Sequence, residues 1–103
     1  MKTYFIDKNS KYLSIKNKLE EIGIENIEHK TDIKHRINKT DYVITVDFIN
    51  EYEEYKKINN LIILTKEKEK KIVWNMANKL NTRDIILIND DEYIAKRIKN
   101  IID

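Results

Sequence analysis

Cysteine and proline are absent from this sequence, and Gly23 is its only glycine. Without thiols there can be no disulfide, no thiolate nucleophile and no cysteine-ligated zinc or iron–sulfur centre. A single glycine cannot build either of the common phosphate-cradling loops, which argues against ordinary nucleotide-binding enzymes. Long apolar runs are missing too. The N-terminus offers only Tyr4, Phe5 and Ile6, short of the roughly 7 to 15 apolar residues of a signal peptide, and nothing later approaches the ~20 of a membrane span. A cytoplasmic location away from membranes is expected. The two histidines, His29 and His35, lack the spacing of a helical metal pair, so structural or surface roles are expected for both. Serines occur only at Ser10 and Ser14, which leaves no grouping for a hydrolase triad.

What is present is the composition of one folded unit. Hydrophobic residues make up 41% of the 103 positions and charged residues 37%, enough for one core and a heavily solvated surface. A single domain over residues 1–103 is expected. Twenty basic residues stand against eighteen acidic ones with both signs interspersed, so the formal charge of +2 does not by itself point to nucleic acid.

Four short apolar runs, Tyr4 to Ile6, Tyr42 to Val46, Leu61 to Leu64 and Ile85 to Ile88, are mostly rich in β-branched residues. Their continuity suits strands covered on both faces, as in parallel sheets. Asn26 to His29, with Ile27 between polar neighbours, reads as an edge strand. Tyr12, Ile15, Leu19 and Ile22 share one helical face, which Ser10 or Asn9 can cap and Gly23 can end. Phe48, Tyr52, Tyr55 and Ile58 repeat the spacing, as do Ile72, Val73, Met76, Ala77 and Leu80. Ile94, Ala95, Ile98, Ile101 and Ile102 do so behind the caps Asp90 or Asp91. A short helix is also placed around Ile33 and Ile37. The order βαβαβαβαβα predicts an α/β fold, a parallel sheet between two layers of helices.

In such sheets functional groups gather beyond the carboxyl ends of the strands. Asp7, Asp47 and Thr65 follow the first, third and fourth strands directly, and Asn89 follows the fifth. With these positions the chain resembles a response-regulator receiver domain. "YFIDKN" is similar to the first acidic loop of that family, "DYVITVDFIN" to the strand carrying the phosphoacceptor, "NLIILTKE" to the strand ending in a hydroxyl residue, and "DEYIAKRIKNII" to the last helix. The resemblance implies a flavodoxin-like strand order 2-1-3-4-5. It implies Asp47 as phosphoacceptor, Thr65 as switch hydroxyl, and magnesium held by Asp7 and Asp47. The chain departs from the family at Lys8, where a second acid is usual, at Asn89, where a lysine is usual, and in a shortened segment between Asp47 and Thr65. Asp7 and Asp47 beside Lys8 leave about one net negative charge, which weakens a magnesium site. A phosphorylated Asp47 would lack its lysine partner. Helix capping is an alternative role for Asp47 and Thr65.

Two surface features remain. Lys66, Lys68, Lys70 and Lys71 open the fourth predicted helix but are diluted by Glu67 and Glu69. At about 100° per residue, Trp74 falls roughly 130° from the apolar face of that helix, and Tyr93 falls well off the apolar face of the last one. In the receiver-like order these helices flank strand five, an apolar edge. The expected function is a non-catalytic, receiver-like regulatory or protein-interaction module. It would contact a protein partner or a second copy through the fourth helix, fifth strand and fifth helix, with Trp74 and Tyr93 in the interface. The alternatives are a dimeric DNA-binding accessory protein using the four lysines, and a phosphorylatable receiver with Asp47 as acceptor.

Overall fold

A computed structural model describes residues 1–34 and 36–103. Five strands, β1 (Thr3–Ile6), β2 (Ile27–Lys30), β3 (Tyr42–Thr45), β4 (Leu61–Thr65) and β5 (Thr82–Leu87), form one all-parallel sheet in the order β2-β1-β3-β4-β5. Four α-helices cover it: α1 (Leu13–Glu21), α2 (Tyr52–Tyr55), α3 (Lys70–Ala77) and α4 (Asp91–Ile102). A 3-10 turn leads into α2 over Ile49–Glu51 and into α3 over Glu67–Glu69.

The continuous apolar runs are explained by two cores, one on each face. Phe5, Ile44, Ile62, Leu64 and Ile86 pack with Ile15 and Leu19 of α1 and Ile94, Ala95 and Ile98 of α4. Tyr4, Ile6, Val43, Leu61 and Ile63 pack on the other face with Phe48, Tyr55, Val73 and Ala77. Successive side chains of a strand point to opposite faces, so strands covered on both sides need no polar alternation. Removing each of the larger of these side chains from water contributes roughly 1.5–3 kcal/mol before entropy is counted.

The ends of α1 show how local chemistry sets an element. Gly23 has φ +100°, in the left-handed region that favours glycine. Ile24 N–H donates to Leu19 O at 3.0 Å and Gly23 N–H to Glu20 O at 3.1 Å, the paired bonds that end a helix at such a residue. The start differs from expectation. No side chain caps α1, whose N-cap residue is Tyr12: neither Ser10 nor Asn9 does so, and the Asp7 carboxylate holds the turn ahead of the helix, accepting from Lys11 N at 3.2 Å and Tyr12 N at 2.7 Å. At α4 the cap is Asp90, whose carboxylate accepts from Tyr93 N at 3.0 Å.

The short helix expected around Ile33 and Ile37 is absent among the described residues, where the chain runs as bends and coil. Asp32 Oδ1 accepts from Lys34 N at 3.0 Å, a local bond that competes with helical turns. Ile33 N–H is drawn instead to Glu51 Oε2 at 3.4 Å, and the Ile33 side chain is buried. His35, the second histidine considered above, lies outside the described residues.

The amino ends of four strands are tied by one polar network. Asp41 accepts from Lys2 N and from Asn38 N, both at 2.9 Å. Asn60 donates to Lys39 O at 3.1 Å and Asp41 O at 3.3 Å, and its own oxygen accepts two bonds from Arg83, at 3.1 and 2.8 Å. Asp41 and Asn60 are both buried, so these bonds satisfy groups that water cannot reach.

Candidate functional site

The chain leaves β1 for β2 on one side and returns to β3 on the other, so the crevice of an open α/β sheet falls between the carboxyl ends of β1 and β3. Asp7 and Asp47 flank it. Their loops are stitched together, because Lys8 N–H donates to Asp47 Oδ2 at 2.6 Å and Val46 N–H to Ile6 O at 3.1 Å.

The two carboxylates are spent differently. Asp7 is 1% exposed and turns both oxygens to the Lys11 and Tyr12 amides just ahead of α1, while its carbonyl oxygen lies 2.9 Å from His29 Nε2. Asp47 is half-buried and does not cap the 3-10 turn that follows it; its oxygen is taken by the Lys8 amide instead. Thr65 is buried, donates to Lys66 O at 3.2 Å and caps neither the 3-10 turn nor α3. Neither Asp47 nor Thr65 is therefore a helix cap, and Asp7 braces the turn that leads into α1.

Asp47 and Thr65 share a small hollow of about 140 Å3 with Asn9, Lys66 and Glu69. Asp7 and Asn89 do not line it. The magnesium ion implied by the receiver resemblance does not fit this arrangement. Such an ion needs several oxygen ligands of its own, whereas both Asp7 oxygens accept from the Lys11 and Tyr12 amides and the Lys8 amide occupies one oxygen of Asp47. No group of three or more His, Cys, Asp or Glu able to hold a metal occurs among the described residues.

Behind Asp47 lies a buried link to the core. Asp47 N–H donates to Thr45 Oγ1 at 3.0 Å, and that hydroxyl is 2.6 Å from the Tyr55 hydroxyl. Tyr55 is fully buried and its ring stacks on Phe48 at 5.7 Å between centroids. Burial pushes the Tyr55 phenol well above its usual range, against the bond to Thr45, which lowers it; the carboxylates of Glu51, Asp47 and Asp32 add to the rise. The unfolded phenol ionises near pH 10. A raised folded value means that this stability is fully present below about pH 10 and is lost as pH rises further. Denaturation midpoints are expected to fall above about pH 10, and Tyr55→Phe to flatten that fall.

A larger open cleft of about 880 Å3 runs between the loop after β2 and the segment after β3, lined by Asp32, Glu51, Glu53 and Glu54 with Lys8 and Lys34. Sequence reasoning missed it; the only signal was the acid-rich stretch Glu51, Glu53, Glu54.

The predicted surface residues lie where helical projection puts them. Trp74 is 59% exposed and Tyr93 52%. Trp74 lines a pocket with Arg83, Asp84 and Ile85 of β5. Asp84 is bound by both prongs of the Arg97 guanidinium, at 2.7 and 2.8 Å, and Arg97 donates to the Tyr93 hydroxyl at 3.2 Å. The Asp84 carboxylate, and after it the Tyr93 hydroxyl, hold the Arg97 pKa above its usual value against partial desolvation. Trp74 and Tyr93 thus border one continuous surface along β5. Of the four lysines expected to open α3, Lys66 and Lys68 lie ahead of it and only Lys70 and Lys71 begin it; all four are exposed, and Lys70 is paired with Glu67 at 2.9 Å. No helix is long and apolar enough to cross a membrane, among the described residues.

Comparison of the chain with protein families, with curated proteins and with solved structures returns no match.

Proposed function

We propose that this chain is a receiver-like module that acts through protein contacts and not through phosphoryl chemistry, with α3, β5 and α4 as its contact face. The observation that carries this reading is a contrast between two surfaces. At the carboxyl ends of β1 and β3 the acids are committed to backbone amides. Along α3, β5 and α4 stand Trp74, Ile72, Tyr93 and Leu87, four of the five large apolar side chains that remain exposed among the described residues. Aromatic side chains are enriched in interface cores, where they bury much area at little entropic cost.

Light scattering over a concentration series, with pull-downs in parallel, tests the face. Trp74→Ala is expected to weaken association by about 2 kcal/mol, roughly thirtyfold. Its folding stability should stay within about 0.5 kcal/mol of wild type, as for an exposed side chain. A wild type that is monomeric throughout and retains no partner dependent on Trp74 or Tyr93 overturns the reading. Incubation with magnesium and an acyl phosphate is expected to leave the intact mass unchanged. A phosphoryl gain that disappears in Asp47→Asn would put the phosphoacceptor reading in its place.

A further inference from the structure

The sheet has two open edges, β2 and β5. β2 is four residues long and carries Glu28 and Lys30, with Lys2 paired to Glu28 at 2.9 Å. Charges along a short edge strand make pairing with another chain costly. β5 has six residues, and Ile85 to Ile88 run four apolar positions without charge, proline or glycine. Such a stretch pairs readily with another strand when its backbone is open.

One bond fixes which backbone groups face outward. Ile88 N–H donates to Thr65 O of β4 at 2.8 Å, so the alternation along a strand turns Ile86 toward β4 as well and directs Ile85 and Leu87 to the open edge. The outward Ile85 N–H is already taken. Asp84 Oδ1 accepts from it at 2.9 Å, and the same carboxylate is gripped by Arg97 of α4, which also donates to Tyr93. Just before this point the pairing slips: Leu61 faces Thr82 but Ile62 faces Asp84, leaving Arg83 as an extra residue. An extra residue in a strand bends it and disrupts a regular edge.

We propose that Asp84, Arg97 and Tyr93 form a latch that closes the β5 edge against strand addition by a second copy of this chain. A second copy is the occupant the edge suits. Two β5 strands related by a two-fold axis run antiparallel and present the same outward groups to each other, with Ile85 and Leu87 exchanging bonds. This inference concerns the backbone edge and stands apart from the side-chain contacts proposed for Trp74. Together they imply that a partner on this face is recognised by side chains while the latch is shut.

The test compares wild type, Asp84→Ala, Asp84→Asn, Arg97→Ala and the double variant Asp84→Ala/Leu87→Pro by sedimentation velocity, with far-UV circular dichroism as the folding check. Asp84→Ala is expected to self-associate at least about tenfold more tightly than wild type, with slowed exchange of the Leu87 amide in the associated form. Asp84→Asn keeps an oxygen on the Ile85 amide but loses the two-pronged Arg97 grip, and should fall between wild type and Asp84→Ala. Leu87→Pro removes an N–H that faces away from β4 and should abolish the added association, since proline is tolerated on the outer side of an edge strand. Trp74→Ala in the Asp84→Ala background should leave it intact, which separates this outcome from that of the side-chain face. A folded Asp84→Ala that sediments like wild type at every concentration overturns the latch, as does association that survives Leu87→Pro. Should Asp84→Ala fail to fold, Arg97→Ala decides in its place: stronger association supports the latch, and wild-type behaviour overturns it.

Discussion

Asp7→Ala is expected to destabilise the fold by about 2–4 kcal/mol, a large share of the ~5–15 kcal/mol available to a domain of this kind. Asp7 is 1% exposed and its carboxylate holds the Lys11 and Tyr12 amides in the turn that leads into α1. Its removal leaves those donors without a partner and frees the turn that positions the helix. Asp7→Asn keeps an acceptor for one amide and should cost less, about 1–2 kcal/mol. Urea denaturation with an unchanged slope would read both values. The experiment also separates two roles. An acid kept in reserve for a cation sits beside Asp47 with its charge uncompensated, so neutralising it would leave stability unchanged or raise it. A clear loss in Asp7→Asn identifies the structural brace.

A comparable loss is expected at the opposite end of the sheet. Asn60→Ala removes bonds to Lys39 O, Asp41 O and the Arg83 guanidinium in one step, leaving buried carbonyls and a cation without their partner. Its expected cost is about 2–4 kcal/mol. Asp41→Ala opens the Lys2 and Asn38 amides and should cost about as much. Because the residues share one network, the double variant is expected to lose less than the two single losses added together, by at least about 0.5 kcal/mol. Strict additivity in the denaturation midpoints would show that the two residues act independently.

The inner strands were legible because β1, β3 and β4 are covered on both faces, which turns burial into unbroken apolar runs such as Leu61 to Leu64. The end of α1 was legible because Gly23 acts on its immediate neighbours. Its start was not. No side chain caps it; the turn into it is held by Asp7, four and five residues ahead of the amides it binds, across a turn in which Ser10 adopts φ +55°. Rules that look one position before a helix cannot find such a brace. Ile33 and Ile37 have helical spacing, but the Ile33 amide is drawn to Glu51, eighteen residues away, and the Lys34 amide to Asp32. The exposure of Trp74 and Tyr93 followed from helical projection alone. The Asp84–Arg97 pair that joins their surfaces spans a strand and a helix, and no local periodicity records it.

At the carboxyl end of the sheet, residue type and strand position were readable and the direction of side chains was not. Asp47 and Thr65 do meet around one hollow. Asp7 comes within one residue of Asp47 through Lys8, yet its side chain turns to α1. A linear pattern fixes where an acid sits; whether it is free depends on which amides the fold leaves open nearby.

The pairing of α1 with α4 over one face of the sheet has a consequence for how the chain is made. α1 leaves the ribosome some seventy residues before α4, on the order of ten seconds at ordinary synthesis rates, and until α4 follows the apolar side of α1 has no finished cover. During that interval Ile15, Leu19 and the strand residues beneath them are exposed to whatever the nascent chain encounters. This face of the sheet is thus completed by a docking step, in which α4 seals α1.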